Sequence, residues 1–200
     1  MESLIKFGLS ILAALLAISI HEYPKAVMAV FLGDETPRYT GKLSFNPFKH
    51  MDPIGFILLI AQNVGWAYPV EFNANNFKNK KLGTIMVASI GIVTSLAVAY
   101  VFVVIYGYLD NPMYLDGYSS YFKFFIQYLI YYSISISVFN LIPVPPLSIT
   151  KMISVYSPRT YFKLLQYEKM FHVVFFLLYF LGFIPIVVNA ISSTLFILFT

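Results

Sequence analysis

The amino-acid sequence predicts an all-α polytopic membrane protein, a single domain over residues 1–200. It is a helical bundle of about five to six transmembrane or re-entrant segments with short surface β-strands. Three observations carry this. First, 59% of the residues are hydrophobic, 18% are aromatic and only 11% are charged, whereas a soluble domain carries about 25% charged residues. Second, the mean hydropathy is +0.76. Third, apolar windows of span length recur, and a 200-residue chain holds only a handful of them at ~20 residues each.

Taken in order, apolar windows predict helices near 4–32, 53–66, 83–108, 122–142 and 171–199. The run Phe7 to Leu32 is longer than a signal-peptide core and contains His21 and Glu22, so it reads as a retained transmembrane helix. The second window is short for a span and fits a tilted, re-entrant or partly buried segment. The last contains Gly182 and Pro185, which predicts one kinked helix or two pieces. Alternation at 39–45 and 68–72 predicts the two surface strands, with Pro69 suited to an edge.

If all five windows span, Lys78, Lys80, Lys81, Lys151, Arg159, Lys163 and Lys169 share one side with Lys6. Arg38, Lys42 and Lys49 take the other side, which also holds Asp110 and Asp116. The positive-inside rule then places the N-terminus and the 68–82 and 143–170 loops in the cytoplasm. The formal charge of +4 is spread over loops, which excludes a nucleic-acid partner. Membrane lipids and a transmembrane or membrane-anchored protein are the expected partners. There is no cysteine, so disulfides, thiolate metal sites and cysteine nucleophiles are excluded.

The chemistry-bearing stretch is His21-Glu22-Tyr23-Pro24-Lys25. The zinc-hydrolase pattern His-Glu-x-x-His sets two imidazoles at i and i+4 on one helix face, with the Glu as general base for a metal-bound water. Here the second His position holds Lys25, whose ammonium has three donors and no lone pair for a metal. Pro24 removes a backbone donor and crowds the carbonyl of Ile20, at a cost of ~3 kcal/mol in a helix interior.

Three further stretches stand with it: Asn46-Pro47-Phe48-Lys49-His50-Met51-Asp52-Pro53-Ile54-Gly55, Gly65 to Asn73 running on to Asn79, and Phe139-Asn140-Leu141-Ile142-Pro143-Val144-Pro145-Pro146-Leu147. Their order and spacing resemble the compact prokaryotic members of the site-2 protease family, the intramembrane zinc metalloproteases. The resemblance covers nearly the whole chain, including Tyr167-Glu168 before the final helix. It implies a helical bundle with a zinc site below the membrane surface. It further implies that His21 matches the first zinc ligand, Glu22 the general base, and Asn140 the asparagine thought to position the substrate carbonyl or stabilise its oxyanion. Lys25 and Ser148 stand where the second His and the ligand Asp belong. Of the family's Ala-Gly-Pro-x-x-Asn segment, Ile90-Gly91-Ile92-Val93-Thr94-Ser95 keeps only the glycine.

The substitutions are matched in charge. The family site sums a dication with two carboxylates to zero; Lys25, Glu22 and Ser148 also sum to zero. Glu22 and Lys25 are i and i+3 on a helix and can pair. The Lys25 ammonium is therefore expected in the former metal position, held by Glu22, His21 and Ser148. Each residue also has a plainer reading. His21 can be a buried histidine bonded to a carbonyl, and Glu22 with Lys25 a structural ion pair. His50 can be a rescue ligand, a turn cap or a headgroup contact; His172 is assigned no chemistry. Pro143 to Pro146 form a rigid break placing Asn140 and Ser148.

The leading expectation is a catalytically inactive pseudoprotease, multi-pass in a prokaryotic cell membrane, that binds transmembrane partners and needs no cofactor. The alternative is an active intramembrane zinc metalloprotease with a noncanonical site drawing on His21, His50 and Glu22. A third class, a small transport or channel subunit, is suggested only by the buried ionisable pair.

Overall fold

The computed structural model describes residues 1–109 and 119–199. Asp110 and Asp116, assigned above to a loop, lie outside them.

Helix α1 (Glu2–Phe31) is rich in Ala, Leu and Ile and, at 30 residues, is ~45 Å long. Helix α4 (Lys80–Leu109) matches it in length, and α5 (Ser119–Phe139) is shorter. These three are long and apolar enough to cross a membrane. The helices α8 (Glu168–Phe180) and α9 (Phe183–Phe199) meet at a 70° bend and supply a fourth span if taken together. Gly182, in the bend, has φ of +84°, a region that strongly favours glycine. The described residues thus hold three or four candidate spans, fewer than the five to six expected.

Helix directions follow from the contacts. The Lys6 ammonium lies over the Phe124 ring, and the hydroxyls of Ser10 and Tyr132 are 3.0 Å apart, so α1 and α5 run parallel. His21 meets Ser95, and Ala29 packs with Phe77 and Val87, so α4 runs against α1. One end of the bundle therefore holds the start of α1 and the start of α5. The opposite end holds residues 32–53, 66–79 and 140–167.

The second predicted helix accounts for the lower count. Helix α3 (Pro53–Gln62) has 10 residues, ~15 Å, half of a ~30 Å hydrocarbon core. It enters the bundle and turns back through Asn63 in the left-handed conformation. A Cβ on Gly65 would sit 2.1 Å from the Gly55 carbonyl oxygen, so the two limbs touch through their backbones. Irregular backbone at this depth needs internal partners. Here the Gln62 carbonyl accepts from Asn189, the Asn63 carbonyl from Ser135 and the Val64 carbonyl from Tyr179. Because α3 does not cross, the N-terminus lies at the end opposite the 68–82 and 143–166 segments, correcting the expected arrangement.

No β-strand occurs among the described residues. Residues Thr36–Tyr39 form a short helix, α2, followed by turns. The 68–72 segment has no regular secondary structure and pairs with no neighbouring strand: the Tyr68 N–H donates to the His50 carbonyl and the Val70 N–H to a side chain. Two helices were not anticipated, α6 (Ser148–Tyr156) and α7 (Pro158–Gln166). Both are short and lie within the polar stretch between two apolar windows.

Candidate functional site

The site forms where α1, α4 and the junction between α5 and α6 meet. Helix α1 runs unbroken through Pro24 and presents His21, Glu22 and Lys25, all buried, the last 5% exposed. The Ile20 carbonyl, deprived of its helical partner by Pro24, lies 3.3 Å from the Thr94 hydroxyl of α4. That hydroxyl is also 2.8 Å from the Ile90 carbonyl, so its single proton is shared.

Gly91 allows α4 to approach α1 this closely. A Cβ there would lie 2.4 Å from both the His21 carbonyl oxygen and Lys25 Cε. One turn on, Ser95 Oγ is 3.1 Å from His21 Nδ1. Ser95 stands at the family's asparagine position in that motif, so the departure from the pattern still places a polar group on the same face.

Glu22 is fully engaged. Its Oε1 accepts from Lys25 Nζ at 2.7 Å, and its Oε2 accepts from the Val70 N–H at 3.0 Å. His21 Nε2 is 3.8 Å from Oε1, beyond hydrogen-bond reach, and this buried nitrogen has no partner. Asn140 faces the imidazole at longer range than a hydrogen bond.

On the facing wall, the Asn140 side chain knits α5 to α6. Its Oδ1 accepts from Ser148 Oγ at 2.9 Å and the Ser148 N–H at 3.3 Å, and its Nδ2 donates to the Ile136 carbonyl. The Ile149 N–H adds a bond to the Asn140 carbonyl. Asn140 thus caps the start of α6, satisfying N–H groups that a helix leaves open. The Pro143–Pro146 turn between them is buttressed by His172, whose Nε2 donates to the Pro145 carbonyl. The expected grip of Ser148 on Lys25 is not formed: the serine hydroxyl donates to Asn140 Oδ1, and the Lys25 ammonium donates to Glu22 instead.

Lys25 and Ser148 nevertheless line one cavity of about 730 Å³, together with Trp66–Phe72, Phe139, Lys151 and His172. The seven residues Trp66–Phe72, which lie outside regular secondary structure, run along it. Their Tyr68 and Val70 N–H groups point into the protein, and no carbonyl of this run accepts a hydrogen bond among the described residues. Asp34 anchors the far end of the run. Its carboxylate accepts from the Thr36 hydroxyl and N–H, the Asn73 N–H and the Asn76 amide. Burial raises the Asp34 carboxyl pKa, but these donors outweigh it and hold the group below its ordinary value.

His50 is buried and hydrogen-bonds to neither His21 nor Glu22. Its Nε2 lies 2.7 Å from the Ser44 carbonyl and therefore carries the proton, which fits the turn-holding reading. Burial pushes its imidazole below the usual range, and its Nδ1 has no partner.

The residues do not fit a zinc ion held by three protein ligands. His21 Nε2 is a buried, unpartnered nitrogen suited to a metal, but Glu22 is bound on both oxygens, Lys25 offers only protons and Ser148 is a neutral hydroxyl. Among the described residues, no group of three or more His, Asp or Glu side chains converges to hold a metal.

Sequence reasoning missed the roles of Ser95, Gly91 and Val70. Gly91 and Ser95, four apart on α4, were visible only as a degraded motif. Val70 acts through its backbone N–H, which leaves no mark in a sequence.

No protein-family model matches the chain, and no solved structure matches it. The chain is 30% identical over 176 residues to "Putative zinc metalloprotease YwhC" of Bacillus subtilis (strain 168), an alignment covering 84% of this chain and 78% of that protein. A match of that extent, on a helical chain whose His21-Glu22 pair is buried among apolar helices beside a cavity that Lys25 lines, places this protein in the site-2-protease-like family.

Proposed function

We propose that this protein is a multi-pass, site-2-protease-like pseudoprotease of a prokaryotic cell membrane, which binds transmembrane or membrane-anchored partners without cutting them. The observation that carries the reading is the commitment of Glu22. A general base must take up a proton from water, and a paired cation opposes that by favouring the charged carboxylate; here one Glu22 oxygen accepts from the Lys25 ammonium and the other from the Val70 N–H. With Lys25 and Ser148 at two ligand positions, the ion pair takes over the charge role of the metal. The 730 Å³ cavity and the unpaired carbonyls of Trp66–Phe72 then receive an extended stretch of the partner through backbone hydrogen bonds. The end of the bundle that holds the cavity also carries ten of the thirteen Lys and Arg residues, which points this end to the cytoplasm and the N-terminus away from it.

A zinc titration with elemental analysis tests the reading. The purified protein is expected to hold no stoichiometric zinc, and partner capture is expected to survive the paired change Glu22→Gln with Lys25→Met, which removes both charges together. One tightly bound zinc per chain, lost in His21→Ala, overturns it. The unpartnered His21 Nε2 and His50 Nδ1 favour a second reading, an active intramembrane zinc metalloprotease with a noncanonical site. That reading requires cleavage of a membrane-anchored substrate, abolished by Glu22→Gln.

A further inference from the structure

The helix α7 has no role in the site, and its surface chemistry is distinct from the rest of the chain. Over nine residues, Tyr161 and Leu164 are half-buried against the protein, whereas Phe162 and Leu165, three apart, are exposed, Phe162 at 68%. Arg159 and Lys163 are four apart and form one cationic strip. Like charges at that spacing destabilise an isolated helix, and a nine-residue helix is marginal by itself in water, so α7 draws its stability from packing against the protein, and a surface of opposite charge on its exposed side would add to it. The exposed aromatics Tyr156 and Tyr167 flank it. From residue 148 to the C-terminus the bases are Lys151, Arg159, Lys163 and Lys169, and the acid is Glu168 alone. None of these four cations has an ion-pair partner among the described residues.

Position decides what that surface is. One residue, Tyr167, separates α7 from α8, the helix that enters the bundle. Helix α7 is therefore held at the level where the chain enters the apolar layer. Aromatic side chains beside lysines and arginines at that level are the composition of an interfacial amphipathic helix. A second copy of the chain would set cation against cation; an anionic leaflet would not.

We infer that α7, with the first turn of α8, lies in the headgroup layer of an anionic phospholipid leaflet, Phe162 and Leu165 toward the acyl chains and Arg159, Lys163 and Lys169 toward lipid phosphates. This is independent of whether the site binds zinc. Each cation near such a surface favours it roughly fivefold.

The absence of native cysteine makes spin labelling of the full chain direct. Phe162→Cys and Thr160→Cys are labelled and reconstituted into nanodiscs of phosphatidylcholine, with or without phosphatidylglycerol. Accessibility to oxygen and to an aqueous nickel chelate is then read by power saturation. In phosphatidylglycerol, position 162 is expected to become oxygen-accessible and protected from nickel while position 160 stays open to nickel. Replacing Arg159, Lys163 and Lys169 by Gln should remove the dependence on lipid. Equal accessibility at 162 in the two lipids, high or low, overturns the inference. Dipolar broadening between labels at 162 on two copies does so too, by assigning the face to a second chain.

Discussion

The ion-pair site and the tip of the α3 hairpin solve one problem in two ways. Both bury polar groups among apolar helices. At the tip, the polar groups are the carbonyls of Gln62, Asn63 and Val64, and neutral donors from Asn189, Ser135 and Tyr179 satisfy them. At the site, the groups are ionised, and Lys25, Glu22 and Val70 satisfy one another. Neutral hydrogen bonds contribute modestly and fail modestly; a buried ion pair contributes little net stability, yet fails badly when one member is removed. The tip is therefore a structural joint. The site is a charge lock whose two parts must be kept or lost together.

The strongest way to break this contrast is Lys25→Met. It strands the Glu22 carboxylate, 2% exposed, and is expected to destabilise the protein by about 3–5 kcal/mol, read by thermal unfolding in detergent. Adding Glu22→Gln should return much of that loss. A single variant as stable as the parent would mean that the pair locks nothing.

Tyr179→Phe at the tip comes next. It leaves the Val64 carbonyl without its donor, for an expected loss of about 1–3 kcal/mol, with no rescue by any charge change. Hydrogen exchange in α3 is expected to rise with it.

The smallest effect concerns Asp34, which ties the Trp66–Phe72 run to the end of α1. Its folded-state pKa is depressed by its donors, so its contribution is present above the unfolded value, near 3.9, and is lost as pH falls through the folded value. Exchange at Val70 and Asn73, taken relative to the intrinsic amide rate at each pH, should stay flat from neutral pH down to about 5 and rise only below about 4. In Asp34→Asn the acid-induced rise should disappear.

The helices were legible because their signal is local: runs of apolar residues between polar stretches mark α1, α4, α5 and the α8–α9 pair. The strands at 39–45 and 68–72 were misread because alternation reports a half-buried chain and not its partner: the N–H groups of Tyr68 and Val70 bond to a loop carbonyl and to a side chain rather than to a strand. Helices α6 and α7 were missed because the first is short and the second is polar on one side. Of the site, His21, Glu22, Lys25, Asn140 and Ser148 were all legible as positions. Their contacts were legible only for the pair three residues apart.

By itself the sequence determined the membrane composition, the five apolar windows, the absence of cysteine chemistry and the presence of Lys25 three residues after Glu22. All of these depend on residue type and near-neighbour spacing. Only the tertiary structure decided that α3 turns back inside the bundle, which sends the N-terminus to the opposite end. It alone decided that Ser148 serves Asn140 rather than Lys25, and that a backbone N–H from Val70 takes the second oxygen of Glu22. Those outcomes rest on contacts between residues 8 to 127 apart in the chain, and hydrogen-bond saturation at such distances is set by packing.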